Sequence, residues 1–489
     1  MEARRNTSDM VPDRLRTGPG ARAVDRFRGR AVTVMGLGLF GGGVGAARYL
    51  AGLGARVTVT DLKDAKTLAS SIKALEGLPI TCHLGSHAAA DFTRADVVVV
   101  NPAVDKKKSE FVRMAEAAGA EITSEMNLFV EACPAAILGI TGSSGKSTTT
   151  ALVGEMLRRS RPSRVGGNIG KSLLEELSEI RPQEWVVLEL SSFQLEDLAA
   201  LGWSPQIAVA TNLSPNHIDR HGSMEAYVEA KRTLVRFQSP GDVAVLNADD
   251  ERLRSWQADA QGRGSRVVWY SDSRPLAEGV YVDGQTLVFR MGAKEAHLDL
   301  AGRVHLLGRH NLANIAAAAA AAHLLDVSVE TIGEVVAGFR ALRHRLEPIG
   351  WRDGVLFVND SKATTPLAAR ASMEAFDGPV VLVAGGRDKH MEMAPMIEAV
   401  RRKARAVVLI GEMADALERA IGRDGPHVER ASSLPDAVGR AAGLARPGDV
   451  VLLAPGYTSL DMFDNYEQRG DAFRDAALRL GAEPVEPRP

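Results

Sequence analysis

Residues 139–148 read GITGSSGKST, directly after the apolar run 135–138 and directly before a helical pattern over 149–157. A buried strand that turns through a glycine-rich loop into a helix is the building unit of a parallel sheet, so this stretch points the chain to an α/β architecture. It also predicts a ligand. Glycines let backbone N–H groups approach phosphate oxygens, Lys146 supplies a point charge toward β/γ oxygens, and the Ser147 hydroxyl suits Mg²⁺. Gly142, Ser143, Ser144, Gly145 and Thr148 complete the expected cradle. The stretch departs from a strict G-x-x-x-x-G-K-[ST] pattern at Ile140, where glycine is required, and Thr141-Gly142 stand in its place.

The same alternation runs along the rest of the chain. A strand over 31–35 leads into GLGLFGGG, then a helix, then a strand over 56–60 closed by Asp61, the layout of a Rossmann-like first unit. A strand over 96–100 leads to Asn101-Pro102. Strands over 185–190 and 206–210 follow the phosphate loop, and a last group lies over 355–358, 379–384, 406–410 and 450–453, all separated by helical segments. At 489 residues the chain suits about three domains. The expected order is an arginine-rich, disordered extension over 1–29, a Rossmann-like domain over 30–133, a P-loop ATPase-like central domain over 134–342 and a Rossmann-like C-terminal domain over 343–489.

Composition excludes several classes. A formal net charge of −2 argues against a generally basic nucleic-acid binder. Only Cys82 and Cys133 occur, without pairing or metal-ligand spacing, which favours a reducing, cytoplasmic setting. The alanine tract 315–322 is too short and too weakly apolar to span a bilayer, so no membrane insertion is expected. The first thirty residues hold eight arginines and no apolar core of a secretory signal.

Further polar clusters sit where predicted strands end, the side on which open α/β sheets hold ligands. Glu189 ends WVVLE and suits a magnesium ion, or else caps a helix. TNLSPNHIDRH places Asn212, His217 and Asp219 on a loop past the strand ending at Ala210. Lys231 follows on a helix and by its residue type alone reads as a solvated lysine. Asn311 and Asn314, three apart in GRHNLAN, share a helix face; a side-chain amide there can read an adenine edge, or cap the helix. RHRLE and NDSKATT bring Arg345, Asp360 and Lys362 to the start of the third domain.

In order and spacing these clusters resemble the Mur ligase family, ATP-dependent amide-forming enzymes of peptidoglycan synthesis, from about residue 30 to the C-terminus. NDSKATT and SLDMFDNYEQRGDAF are similar to the branch that joins D-glutamate to UDP-N-acetylmuramoyl-L-alanine. The resemblance implies that Lys146 and Ser147 hold ATP phosphates and one of two Mg²⁺ ions, shared with Glu189. His217 would sit at the second metal beside Lys231, which matches a lysine carbamylated in this family. Asn314 would contact adenine, Arg345 and Asp360 the nucleotide, and Asn168 the muramoyl group. Thr364, Lys389, Ser459 and Tyr466 fall where the family contacts D-glutamate, and Lys362 is placed to assist both substrates. Leu39, Phe40, Asp61 and Lys63 fall at the uridine site, where Phe40 followed by three glycines and Ala103 in NPAV depart from the usual pattern. A monomer is expected.

Three alternatives stay open from the residues. GLGLFGGG permits a nicotinamide-dependent oxidoreductase, which leaves the phosphate loop unexplained. A nucleotide switch needs the loop but not Glu189, His217 and Lys231 together. An amide ligase for another acceptor is the nearest rival.

Overall fold

The structure, a computed structural model, describes residues 26–485 except Phe40, Lys171, Ala293, Lys389 and His390; the expectations for Phe40, Lys389 and residues 1–25 fall outside the described residues. It is α/β throughout, with three sheets. The chain divides into two compact units. One takes the chain up to Ala301 together with Ala313–Val336; the other takes Gly302–Leu312 and the chain from Ala337.

The first unit holds two sheets. Five parallel strands run edge to edge as Ile80–Leu84, Arg56–Asp61, Ala31–Met35, Val97–Val100 and Glu121–Thr123. This is the 3-2-1-4-5 order of a Rossmann-like half, which reverses direction beside the first strand and opens a crevice at the strand ends there. Val97–Val100 is four valines, each buried, because a parallel strand is covered by helices on both faces.

The central sheet has nine strands. Its order is Lys294–Asp299, Thr286–Met291, Gly279–Asp283, Arg266–Ser271, Val243–Asn247, Ile207–Ala210, Ala136–Thr141, Trp185–Glu189 and Ser163–Gly167. The strand Ala136–Thr141 lies between Ile207–Ala210 and Trp185–Glu189, parallel to both, so the loops leaving these three strands emerge together at the C-terminal end of the sheet. Ile140 is fully buried in that strand, which is why the loop's first glycine is Gly142. The outer three strands pair antiparallel in sequence, and the first two are joined by the two-residue turn Gly284-Gln285, with Gly284 at φ 59°. A single buried core joins this sheet to the first, with Val32 and Val57 from one and Ile137 and Val186 from the other.

The alanine tract forms the helix His310–His323, and Ala316–Ala322 are all 0 % exposed. Alanine's small side chain lets a helix with no polar face in this stretch pack closely on every side. Among the described residues no helix is long and apolar enough to cross a membrane.

The second unit carries a seven-stranded sheet in the order His427–Arg430, Ala404–Ile410, Val380–Gly385, Val450–Gly456, Val355–Asn359, Glu347–Arg352 and Glu483–Pro484. Its first five strands are parallel and the last two antiparallel. Leu307 packs against this unit's core of Leu356, Val380, Leu452 and their neighbours.

Candidate functional site

The glycine-rich loop joins Ala136–Thr141 to the helix Lys146–Arg158, three residues earlier than the sequence pattern suggested. Gly145 explains the early start. At φ 82° it caps the helix in the left-handed region, and an added Cβ would lie 2.2 Å from Asn314 Oδ1. Gly142, at φ 151°, leaves no more room: a Cβ would lie 1.8 Å from Thr211 Oγ1. Among the described residues no side chain caps this helix and no acid stands in its first turn, an end whose dipole suits an anion. Lys146 Nζ curls over the loop and donates to the carbonyls of Gly142 (2.9 Å) and Ser143 (3.1 Å). Thr148 is half-buried in the helix's first turn.

Asn212 braces the loop from the neighbouring strand end. Its Oδ1 accepts from Ser144 N and its Nδ2 donates to Ser144 O, both at 3.0 Å, so the amide is engaged at both ends by backbone. Ser143 Oγ lies 2.9 Å from Tyr227 Oη and donates to Ser214 O at 2.8 Å. These contacts hold the loop open in one shape before any ligand arrives.

Behind the loop, Ser147 Oγ donates to Glu189 Oε2 at 2.5 Å, and Asn168 Nδ2 donates to Glu189 Oε1 at 2.9 Å. Glu189 is thus a buried carboxylate at a strand end, facing the loop, and not a helix cap; the following helix Ser192–Ala200 is capped by Ser191 with Gln194. A hydroxyl and a carboxylate side by side are the hard oxygen donors that Mg²⁺ accepts, so these residues fit the ion.

Lys231 is the largest departure from its residue type. Far from being solvated, it is 1 % exposed, with Nζ donating to Thr141 Oγ1 at 3.0 Å and lying 5.0 Å from the Tyr227 ring centroid. Burial, and then the charge of Lys146, push its pKa well below the usual ammonium range, against the pull of Glu189. His217 stands at φ 54° at the head of the short helix Ile218–His221. The residue is exposed, yet desolvation, then the charges of Lys146 and Lys231, pull its pKa down to about 4, which favours the neutral ring with a lone pair to offer. Asn314 is buried against Gly145, with Oδ1 3.5 Å from Thr149 Oγ1. Asn311 Nδ2 donates to Leu307 O at 2.7 Å.

At the crevice of the first sheet, Asp61 Oδ2 accepts from Gly38 N (3.1 Å) and Oδ1 from Lys63 N (2.9 Å). Leu39 and Lys63 are exposed beside it. Ala103 takes no left-handed backbone angle, so alanine serves there without strain.

The second unit gathers the remaining candidates at its own strand ends. Asp360 follows Val355–Asn359; burial pushes its carboxyl up to about 6, opposed by the Ser372 hydroxyl at 2.5 Å and then by the Arg345 charge. Arg345 stands between two left-handed residues, His344 (φ 63°) and Leu346 (φ 42°). Lys362 Nζ lies 3.6 Å from the Tyr466 ring centroid, a cation–π contact. Thr364 is half-buried two residues on, and Ser459 is buried past Val450–Gly456.

Arg469 escaped the sequence reading. It is 1 % exposed, and its guanidinium donates to Ser361 Oγ (3.0 Å), Ser361 O (2.9 Å) and Tyr457 O (3.1 Å), which ties the Lys362 segment to the Ser459 loop. Burial draws its pKa down to about 10, with Asp461 opposing. No local pattern in EQRGDAF marks an arginine that turns inward.

Family models match in chain order. "Mur ligase MurD-like, N-terminal domain" covers residues 30–124, "Mur ligase middle domain" 140–322 and "Mur ligase, glutamate ligase domain" 344–456. The UDP-N-acetylmuramoylalanine–D-glutamate ligase of Roseiflexus sp. (strain RS-1) is 45 % identical over 92 % of this chain and 98 % of its own length. That of Acidobacterium capsulatum is 40 % identical over 92 % and 97 %. Among solved structures, the UDP-N-acetylmuramate–alanine ligase of Thermotoga maritima superposes with a TM-score of 0.60 at 19 % identity, over 92 % of this chain and all of the other. A ligase of that organism solved with ADP gives 0.57 at 17 % identity, over 94 % and 97 %. The two structures share the fold, and the sequence relatives carry that likeness through to near-complete length: this chain belongs to the Mur ligase family.

Proposed function

We propose that this protein uses ATP to join D-glutamate to UDP-N-acetylmuramoyl-L-alanine, an amide ligation in cytoplasmic peptidoglycan precursor synthesis. One observation carries the choice of acceptor: relatives named for that reaction match more than nine-tenths of both chains.

The chemistry follows from the parts. A carboxylate resists attack by an amine until one oxygen becomes a leaving group. The L-alanyl carboxylate would attack the γ-phosphorus of ATP, giving an acyl phosphate and ADP; the amine of D-glutamate would then add to the carbonyl, and collapse would expel phosphate. Lys146 and the amides of the loop 142–148 would stabilise charge on the phosphoryl oxygens. Ser147, Glu189, His217 and a carbamylated Lys231 are the residues that would hold Mg²⁺, which when bound supplies further neutralisation of the phosphates. Asn314, Arg345 and Asp360 would bind the nucleotide. Leu39, Phe40, Asp61, Lys63 and Asn168 would hold the UDP-sugar, and Thr364, Lys389, Ser459 and Tyr466 the D-glutamate, with Lys362 serving both. The test is ADP release by the purified protein with UDP-N-acetylmuramoyl-L-alanine and a panel of amino acids. D-Glutamate should give the fastest release. A faster rate with L-alanine, a diamino acid or D-alanyl-D-alanine would move the acceptor, and no release with any of them would end the ligase reading.

A further inference from the structure

The loop after Val97–Val100 and the turn that carries His217 come from different sheets of one unit, and a single side chain ties them. Arg220 Nη1 donates to the carbonyls of Pro102 (3.1 Å) and Ala103 (3.2 Å), and Nη2 to that of Val104 (2.9 Å). The same guanidinium lies over Phe193, 4.2 Å from the ring centroid. Phe193 in turn meets His217 edge-on at 5.1 Å and stacks on His221 at 5.0 Å. On the far side, Asn101 opens the tied loop: its Oδ1 accepts from Ala103 N (3.0 Å) and its Nδ2 donates to Gly36 O (3.3 Å) in the glycine-rich turn of the first sheet. Contacts therefore run without a gap from that turn to His217. A cavity of about 170 Å³ opens beside them, walled by Val104, Lys106, Phe193, Asp197 and Arg220.

We propose that Arg220 is a positioning residue: it fixes loop 102–104 against the His217 turn, so that a UDP-sugar held by the first sheet presents its carboxylate to the phosphate loop. The inference rests on the ligase reading above and assigns that reading a residue it does not otherwise use. Arginine is required by the geometry. A planar fork reaches three consecutive carbonyls while its face stacks on a ring, whereas an ammonium is one point of charge on a flexible stem. The three carbonyls lie in a loop that water can reach, so losing the arginine loosens the loop without leaving buried groups unpaired.

Arg220→Lys and Arg220→Ala, studied in the full chain, test the assignment by steady-state kinetics in each substrate, thermal melts and hydrogen exchange. In both variants KM for UDP-N-acetylmuramoyl-L-alanine should rise about 10-fold or more, with KM for ATP and D-glutamate within about twofold of the parent. Exchange over 101–107 should quicken while that over 142–150 stays as it was, with little change in melting temperature. A lysine variant with the parent's KM for the UDP-sugar would overturn the proposal. So would an equal loss toward all three substrates in step with lost thermal stability. If the parent itself releases no ADP, the ligase reading fails, and unchanged exchange over 101–107 in the variants would separately refute the tie.

Discussion

Two buried ionisable residues carry opposite consequences. The amine of Lys231 is desolvated and faces the Lys146 charge, so its neutral form is favoured, and a neutral amine is the form that takes up CO₂. Lys231→Arg keeps a charge that cannot be shed and cannot be carbamylated, so it should fail as badly as Lys231→Ala, with ADP release down about 10²–10³-fold in both. Kinetics on folded variants decide this; a fully active arginine variant refutes the carbamylated role. Asp360 shows the reverse. Its folded pKa, near 6, lies above the ordinary carboxyl value, so its contribution to stability is complete below about pH 4 and is lost as pH rises through about 6. A gap of about two pH units corresponds to about 3 kcal/mol of stability missing at neutral pH. Asp360→Asn keeps an oxygen for the Ser372 hydroxyl, so it should raise the melting temperature at about pH 8, change it little at about pH 4, and weaken ATP use. Calorimetry at the two pH values is the check, and an asparagine variant less stable than the parent at the higher pH would remove the argument.

Elements that end in a special backbone angle are tuned more finely than their hydrophobic pattern suggests. Gly41 and Gly145 both cap helices with left-handed angles, φ 88° and 82°, but among the described residues a Cβ on Gly41 meets nothing within 4 Å while one on Gly145 collides with Asn314. Gly41→Ala should therefore lose about 1–2 kcal/mol from strain alone, and Gly145→Ala about 1–3 kcal/mol more. Urea melts of the two variants measure the difference; equal losses would mean that Asn314 yields freely. The pair also marks what the sequence can and cannot reveal. Strands such as Ala136–Thr141 and Val97–Val100 are legible because parallel strands buried on both faces are unbroken apolar runs. The antiparallel strands Gly279–Asp283, Thr286–Met291 and Lys294–Asp299 mix polar residues into their pattern and carry no long unbroken apolar run, and the turn Gly284-Gln285 that joins the first two offers only a single glycine as a signal. At the site, Lys146, Ser147 and Glu189 announce themselves by spacing. Arg220 does not, since its carbonyl partners lie more than a hundred residues away in the chain, and Lys231 reads as a surface lysine until the fold buries it.

At the scale of the whole molecule, the residues of the proposed site divide between units. The phosphate loop, Glu189, Lys231 and the Asp61 crevice belong to the first, and Thr364, Ser459 and Tyr466 to the second. Binding energy toward the acceptor should therefore be separable from binding energy toward ATP. Ser459 is buried at a strand end, and its carbonyl accepts from Met462 N (3.0 Å) and Phe463 N (2.8 Å), contacts that a Ser459→Ala change leaves intact. That variant should raise KM for D-glutamate by about 10-fold while leaving KM for ATP unchanged, because on the proposed reading it removes one hydroxyl partner of a charged ligand and touches nothing in the phosphate loop. Selectivity rests on the same logic. A site built to pair a side-chain carboxylate leaves polar groups unsatisfied when D-alanine arrives, so D-glutamate should exceed D-alanine by about 10⁴-fold in kcat/KM. An apolar pocket of the same size would discriminate only about 10–200-fold for a missing methylene. Competition kinetics between the two amino acids distinguish these outcomes, and a ratio near the lower range would mean that the acceptor pocket recognises size rather than charge.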